Sequence, residues 1–233
     1  MKALILAGGK GTRLLPYTAV LPKPLMPIGE TPILEIIIRQ LKKYDISEII
    51  LSVGYMAGLI ETFFGDGKRF GVTITYSMET QPLGTAGPIS LIPDFNSSLL
   101  VMNGDVLTSL NYRNLIKYHN KNKAIMTVGM STQSYQNPLG YVEHDERNMI
   151  THYVEKPVYQ YDVSMGIYIM EPKILNYIGK GKHLDIPELV NILVANNQKV
   201  VGYHSTDYWL DMGKHDNYIK VNEDFMNNRS LFL

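Results

Sequence analysis

Arg13 and Lys23 are the side chains of this sequence best placed to do chemistry. Both fall in residues 3–27, ALILAGGKGTRLLPYTAVLPKPLMP. The apolar run Leu4, Ile5, Leu6 breaks there into Gly8-Gly9-Lys10-Gly11-Thr12-Arg13, and Lys23 follows ten residues after Arg13, between Pro22 and Pro24. Small residues let backbone N–H groups come close to an anion. A planar guanidinium and a point-charge ammonium can then neutralise a run of phosphates. The two prolines keep the backbone around Lys23 extended. The pattern points to a nucleoside triphosphate and to reaction at phosphorus.

Two other phosphate loops fit poorly. A P-loop needs GxxxxGK[ST], and here Gly11 is followed by Thr12 and Arg13. A dinucleotide fingerprint needs GxGxxG. Leu14 occupies the third glycine position, although Glu30 could imitate the ribose acid. Taken alone, the loop reads equally well as a plain turn with solvated cations.

Carboxylates supply the second half of the chemistry. Asn103-Gly104-Asp105 follows the apolar run Leu99–Met102. An aspartate at the carboxyl end of a parallel strand lies where open α/β sheets bind ligands. Trp209-Leu210-Asp211-Met212-Gly213 offers another. By themselves, Asp105 also reads as an Asx turn and Asp211 as a helix cap. The six histidines show no metal-ligand spacing, and the sixteen tyrosines scatter along the chain.

Together these segments resemble the sugar-phosphate nucleotidyltransferase family, the enzymes that make nucleoside-diphosphate sugars. Gly8–Leu14 and Pro22–Pro24 match its opening GGxGTRL…PKP, and Gln81–Gly87 contains its PLGTAG. Glu155-Lys156-Pro157 matches its EKP, and Trp209–Gly213 its W-x-D-x-G. The likeness runs from Met1 to about Phe225. It implies a Rossmann-like nucleotide-diphospho-sugar transferase fold and transfer of a nucleotidyl group from a nucleoside triphosphate to a sugar 1-phosphate. Leu6, Ala7, Gly8, Gly9, Gly11 and Thr12 are then expected along the triphosphate, with Arg13 on its β- and γ-phosphates and Lys23 near the α-phosphate. Gln81, Gly84 and Thr85 are expected beside the base, with Glu79 also within reach. Asp105 and Asp211 are the implied Mg2+ ligands. Glu155 is assigned to sugar hydroxyls, Lys156 to the sugar phosphate, and Gly140 and Gly166 to the sugar's flanks. Many family members carry Asn where this chain has Ser164. That sugar contact is therefore altered here.

The combination is most like mannose-1-phosphate guanylyltransferases and their heptose-phosphate relatives. Thymidylyl-, uridylyl- and cytidylyltransferases stay open. A non-catalytic regulatory subunit that binds nucleotide sugar is another alternative. The presence of Arg13, Lys23, Asp105, Lys156 and Asp211 together speaks against it.

The elements that must position these groups follow from periodicity. Strands are expected at Lys2–Ala7, Glu48–Val53, Val72–Ser77, Leu99–Met102 and Ala124–Gly129. Helices are expected at Ile33–Tyr44, Met56–Phe64, Thr85–Leu91 and Asn111–Asn120. This alternation predicts an α/β fold with a mixed, mostly parallel central sheet and helices on both faces. Gly140–Glu143, Met149–Glu155 and Val163–Met170 then read as strands without helices between them, an antiparallel extension. Helices resume at Pro172–Ile178, Ile186–Ala195 and His215–Asn227, with Lys199–His204 as the last strand. One domain is expected over 1–233, with 1–130 serving mainly the nucleotide and 131–233 mainly the sugar phosphate.

The 233 residues are 45% hydrophobic, enough for a sizeable core. The formal net charge is zero, so no global field favours nucleic acid or an anionic membrane. With no cysteine, disulfides and thiolate metal sites are excluded. No apolar run approaches the roughly 20 residues needed to span a bilayer. A cytoplasmic protein is expected, as a monomer or a homo-oligomer.

Overall fold

The computed structural model describes residues 1–93 and 95–233. The chain begins with β1 (Lys2–Leu6), the short pair β2 (Pro27–Ile28) and β3 (Thr31–Pro32), and α1 (Ile33–Lys43). There follow β4 (Glu48–Val53), α2 (Ala57–Phe64), β5 (Thr73–Met78), β6 (Leu99–Asn103), β7 (Val106–Thr108) and α3 (Tyr112–Asn122). The second half holds β8 (Met126–Gln136), β9 (Tyr141–His144), β10 (Ile150–Val154), β11 (Val158–Met170), α4 (Ile186–Ala195), β12 (Val200–His204), β13 (Trp209–Asp211), α5 (His215–Asn227) and α6 (Arg229–Phe232).

Seven strands form the central sheet in the order β12-β8-β11-β6-β1-β4-β5. The β6-β1-β4-β5 pairings are parallel, and so is β12 with β8. Only β11 runs against its neighbours. This is the mixed, mostly parallel sheet that the alternation predicts. From β1 the chain winds outward to β4 and β5, then returns to place β6 on the other side of β1. The crevice at the carboxyl ends of β1 and β6 is therefore a topological switch point, where sheets of this kind bind ligands.

Alternate residues of β1 feed two separate cores, as a period of two requires. Ala3 and Ile5 join α1, α2, α3 and α5 on one face, and Leu4 joins α4 on the other. The sequence ILEIIIRQLKK makes α1 because its apolar positions recur at helical spacing. The helix buries Ile33, Leu34, Ile36, Ile37, Ile38 and Leu41 and leaves Arg39, Lys42 and Lys43 outside.

Several expectations are corrected. The Thr85–Leu91 and Pro172–Ile178 segments are 3-10 turns, at Gly87–Leu91 and Pro172–Tyr177. Pro88 and Pro172, which lack an N–H, stand in the first turn of each. Lys199–His204 is not the last strand, because β13 follows and pairs antiparallel with β7. Strands β8 and β11 run past their expected limits and pair with each other over Ser131–Gln136 and Val158–Val163. That outer ribbon is mostly exposed, so no buried face imposes an apolar alternation on its sequence. Strands β9 and β10 form a separate two-stranded sheet beside it.

Candidate active site

The glycine loop leaves the carboxyl end of β1, directly beside the turn that ends β6. Leu6 stands opposite Asn103 in the parallel register. The Gly104 N–H donates to the Leu6 carbonyl at 2.9 Å, and a Cβ on Gly104 would lie 2.9 Å from the same oxygen. That contact needs glycine, and it sets Asp105 against the root of the loop. On the other flank, the Ala7 N–H donates to the Ser52 carbonyl (2.8 Å) and the Tyr55 N–H to the Gly8 carbonyl (3.2 Å).

Within the loop, Gly11 adopts φ +62°, a left-handed conformation that suits glycine. The buried Thr18 hydroxyl donates to the Gly11 carbonyl at 2.8 Å. A Cβ on Gly11 would meet the Thr18 methyl at 2.9 Å and Lys23 Cβ at 3.4 Å. Thr18 thus folds the loop over Lys23. Nothing in the sequence distinguishes this threonine from its neighbours, and sequence reasoning missed it. Gly9 has open space where a Cβ would stand, so its backbone is free to be approached from outside.

Lys23 forms an ion pair with Asp105 Oδ2, with side-chain exposures of 11% and 21%. Asp211 comes from the far end of the chain to the same place. It pairs with Val106 across β13 and β7, and the Met212 N–H donates to the Asp105 carbonyl at 2.9 Å. Asp211 Oδ1 accepts from the Gly213 N–H (2.6 Å) and Asn217 Nδ2 (3.4 Å). It therefore closes a turn, while the N-cap of α5 is Lys214. A Cβ on Gly213 would lie 3.3 Å from an Arg13 Nη, so the guanidinium rests beside this turn. Arg13, Lys23, Asp105 and Asp211 thus converge at the switch point. The two cations there can hold a polyphosphate and offset its charge, and the two carboxylates can meet it only through a bound cation. His215 Nε2 lies 2.9 Å from the Leu15 carbonyl, which ties the strap after the loop to α5.

The Gln81–Gly87 segment forms a second wall. Glu79 reaches back toward the glycine loop, where a Cβ on Gly8 would stand 2.7 Å from its Oε1. The Ser52 hydroxyl (2.7 Å) and the Leu83 N–H (3.3 Å) hold its two oxygens. Glu79 therefore braces one wall against the other. Gly84 has φ +75°, and a Cβ there would lie 2.6 Å from the Leu184 carbonyl oxygen. Thr85 turns its hydroxyl to Asp185 and to the start of α4. Gln81 is exposed, with Nε2 3.4 Å from the Gly181 carbonyl.

The residues expected on the sugar side split into two groups. Gly166 (φ +69°) packs on Asn103, whose Nδ2 would be 2.5 Å from an added Cβ. Ser164 Oγ lies 2.9 Å from the Tyr168 hydroxyl and accepts from the Gly166 N–H at 3.2 Å, at the irregularity where β11 shifts register on β8. Burial pushes the Tyr168 hydroxyl's pKa up, against the opposing hydrogen bond from Ser164. Gly140, Glu155 and Lys156 lie at the ends of the β9-β10 hairpin. A Cβ on Gly140 would be 2.9 Å from Glu155 Oε2. Lys156 is exposed with φ +44°, uncommon outside glycine. Among the described residues, no hydrogen bond or ion pair links Glu155 or Lys156 to Arg13, Lys23, Asp105 or Asp211.

Residues 2–228 match the family described as nucleotidyl transferase. The chain belongs to that family. It is 34% identical to a UTP–glucose-1-phosphate uridylyltransferase from Synechocystis sp., over 94% of this chain and 61% of that protein. It is 32% identical to a mannose-1-phosphate guanylyltransferase from Mycobacterium tuberculosis, over 96% of this chain and 64% of that one. The chain thus spans less than two thirds of the length of these relatives. The solved structure of HddC from Yersinia pseudotuberculosis complexed with GMP-PN superposes with a TM-score of 0.73 at 26% identity, over 96% of this chain and 99% of that one. No described helix is long and apolar enough to cross a membrane.

Proposed function

We propose that this nucleotidyl transferase family member joins a nucleoside triphosphate to a sugar 1-phosphate, giving a nucleoside-diphosphate sugar and pyrophosphate. The convergence of Arg13, Lys23, Asp105 and Asp211 at the switch point carries this reading. An oxygen of the sugar phosphate attacks the α-phosphorus. A new P–O bond forms there, the bond to the bridging oxygen breaks, and pyrophosphate leaves with the electron pair. No protein nucleophile is needed, so catalysis consists of positioning and charge stabilisation. The N–H groups of Gly8–Thr12 line the triphosphate. Arg13 holds the β- and γ-phosphates, Lys23 sits at the α-phosphate, Lys156 brings the sugar phosphate, and Glu155 takes sugar hydroxyls.

Asp105, in the turn between β6 and β7, and Asp211, at the end of β13 opposite Val106, offer hard carboxylate oxygens, a donor set suited to Mg2+. When bound, that ion would offset the charge of the triphosphate oxygens. We favour GTP with mannose- or heptose-1-phosphate, in keeping with the guanylyltransferase relative and with the GMP-PN complex of HddC. The uridylyltransferase relative supports UTP with glucose 1-phosphate as the second reading. In either case the protein works in the cytoplasm on two small anions, without nucleic acid or membrane.

The test is pyrophosphate release across a matrix of GTP, UTP, dTTP and CTP against mannose, heptose and glucose 1-phosphates, with Mg2+. Release is expected to need both substrates and to peak with GTP. A peak with UTP selects the second reading, and no release in any combination overturns both.

A further inference from the structure

The Gln81–Gly87 wall has almost no regular structure, and neighbours outside it set its shape. Most of those neighbours belong to one segment, residues 181–186, which leads into the first turn of α4. The Ala86 and Gly87 N–H groups both donate to the Leu184 carbonyl, at 2.8 and 3.0 Å, and the Leu184 N–H donates to the Leu83 carbonyl at 3.0 Å. Asp185 Oδ1 accepts from the Thr85 N–H (2.9 Å) and from the Thr85 hydroxyl (3.1 Å). The same hydroxyl accepts from the Ile186 N–H at 2.8 Å. Thr85 therefore satisfies a first-turn donor of α4 from a distant part of the chain, and Asp185 holds Thr85 in place to do so. A Cβ on Gly84 would lie 2.7 Å from Asp185 Oδ1, so this carboxylate also lies directly behind the left-handed turn.

The Asp185 backbone N–H donates to Glu188 Oε2 at 3.0 Å, which fixes the residue at the helix start. A negative group at this end of a helix is favoured by the helix dipole. The backbone of Asp185 is thus anchored at the start of α4, and its carboxylate reaches from there to the wall. The buried side of α4, Ile186, Leu189 and Leu193, belongs to the core on the far face of the sheet. The shape of the wall is in this way tied to a rigid element.

We infer that Asp185 is a positioning residue for the nucleobase: it holds Gly84 and Thr85 in the one backbone path that accepts the base, without touching the phosphates. This rests on the nucleotidyl-transfer reading of the same site. It predicts a loss that depends on the base. The phosphate cradle of Gly8–Lys23 is held by Thr18 and Asp105, neither of which contacts Asp185 through a hydrogen bond or ion pair among the described residues.

The experiment compares the unsubstituted protein with Asp185→Ala and Asp185→Asn. Calorimetry measures binding of inorganic tripolyphosphate and of whichever of GTP, UTP, dTTP or CTP the unsubstituted protein binds most tightly. Asp185→Ala is expected to weaken nucleotide binding by about tenfold or more, the scale of lost hydrogen bonds to a charged acceptor, with tripolyphosphate binding unchanged. Asp185→Asn keeps an Oδ1 acceptor and is expected to stay within about threefold of the unsubstituted protein. In turnover, KM for the triphosphate should rise while kcat holds. Equal weakening of both ligands overturns the positioning role, as does nucleotide binding unchanged in Asp185→Ala. If the unsubstituted protein binds tripolyphosphate but no nucleoside triphosphate, the nucleotidyl-transfer reading fails, and Asp185 with it.

Discussion

Asp105 is the residue on which most of the site depends. It meets Lys23 through its side chain and Met212 through its carbonyl, so it joins the glycine loop to the C-terminal strand. Asp105→Asn keeps the size and the backbone contacts but removes the charge. Turnover should fall by more than about a hundredfold, in line with losing a preorganised charge in a reaction run by electrostatics. The melting temperature should move by only about 3 °C or less, because Asn keeps the size, the backbone hydrogen bond to Met212 and a side-chain oxygen for Lys23. Pyrophosphate release and a thermal melt, measured on the same sample, check both halves. Near-normal turnover would remove Asp105 from the proposed metal and phosphate site. Much of this residue-scale picture was legible in the sequence. Arg13, Lys23, Asp105 and Asp211 are charged residues in motifs, and the structure brings all four together. Thr18, Asn103 and Asp185 were not legible. Their roles come from a buried hydroxyl, a close approach to Gly166 and a hydrogen bond across 100 residues.

Elements with an amphipathic face were read closely. Ile186–Ala195 and His215–Asn227 match expectation at both ends, because each carries apolar residues at helical spacing between polar flanks. Strands β7 and β13 escaped notice because three residues are too few to show a period of two, and their pairing spans most of the second half. The outer ribbon of β8 and β11 was cut short because its pairing, and not a buried face, makes it a ribbon. One cluster shows how the elements are stapled together. Glu171, after β11, accepts from the Ser98 hydroxyl at 2.5 Å and lies 2.9 Å from Nε2 of buried His119 on α3. His119 Nδ1 in turn lies 2.7 Å from the Thr127 hydroxyl on β8. Burial works against the Glu171 charge, but the hydrogen bonds from Ser98 and His119, with the electrostatic attraction of His119 and Lys173, together outweigh it and hold the carboxyl below its usual 4.5. A carboxyl depressed in the folded state stabilises fully above its unfolded pKa, and that contribution is lost as pH falls through the folded value. Urea midpoints at about pH 6 and about pH 3 should therefore fall further in the parent than in Glu171→Gln. Parallel falls in the two proteins would show that the cluster carries no pH-dependent stability.

At the scale of the whole molecule, the sheet order explains why one site draws on both ends of the sequence. β1 and β6 lie side by side at the centre, so the loop after one and the turn after the other must meet. β13 then closes on β7 and delivers Asp211. The β9-β10 hairpin that carries Glu155 and Lys156 stands outside the central sheet, with Tyr153 and Ile150 exposed. The side proposed for the sugar is therefore less enclosed than the side proposed for the phosphates. The alternation of strands and helices revealed the sheet, whereas the meeting of its distant ends depends on a strand order that no local pattern encodes.

Attack at the α-phosphorus is tested by following the phosphorus atoms. The preferred triphosphate, labelled at either the α- or the γ-phosphorus, is incubated with its sugar 1-phosphate and Mg2+. The α-label should appear in the nucleoside-diphosphate sugar and the γ-label only in pyrophosphate. A γ-label carried onto the sugar phosphate, or an α-label that stays with free nucleotide, would rule out attack by the sugar phosphate at the α-phosphorus.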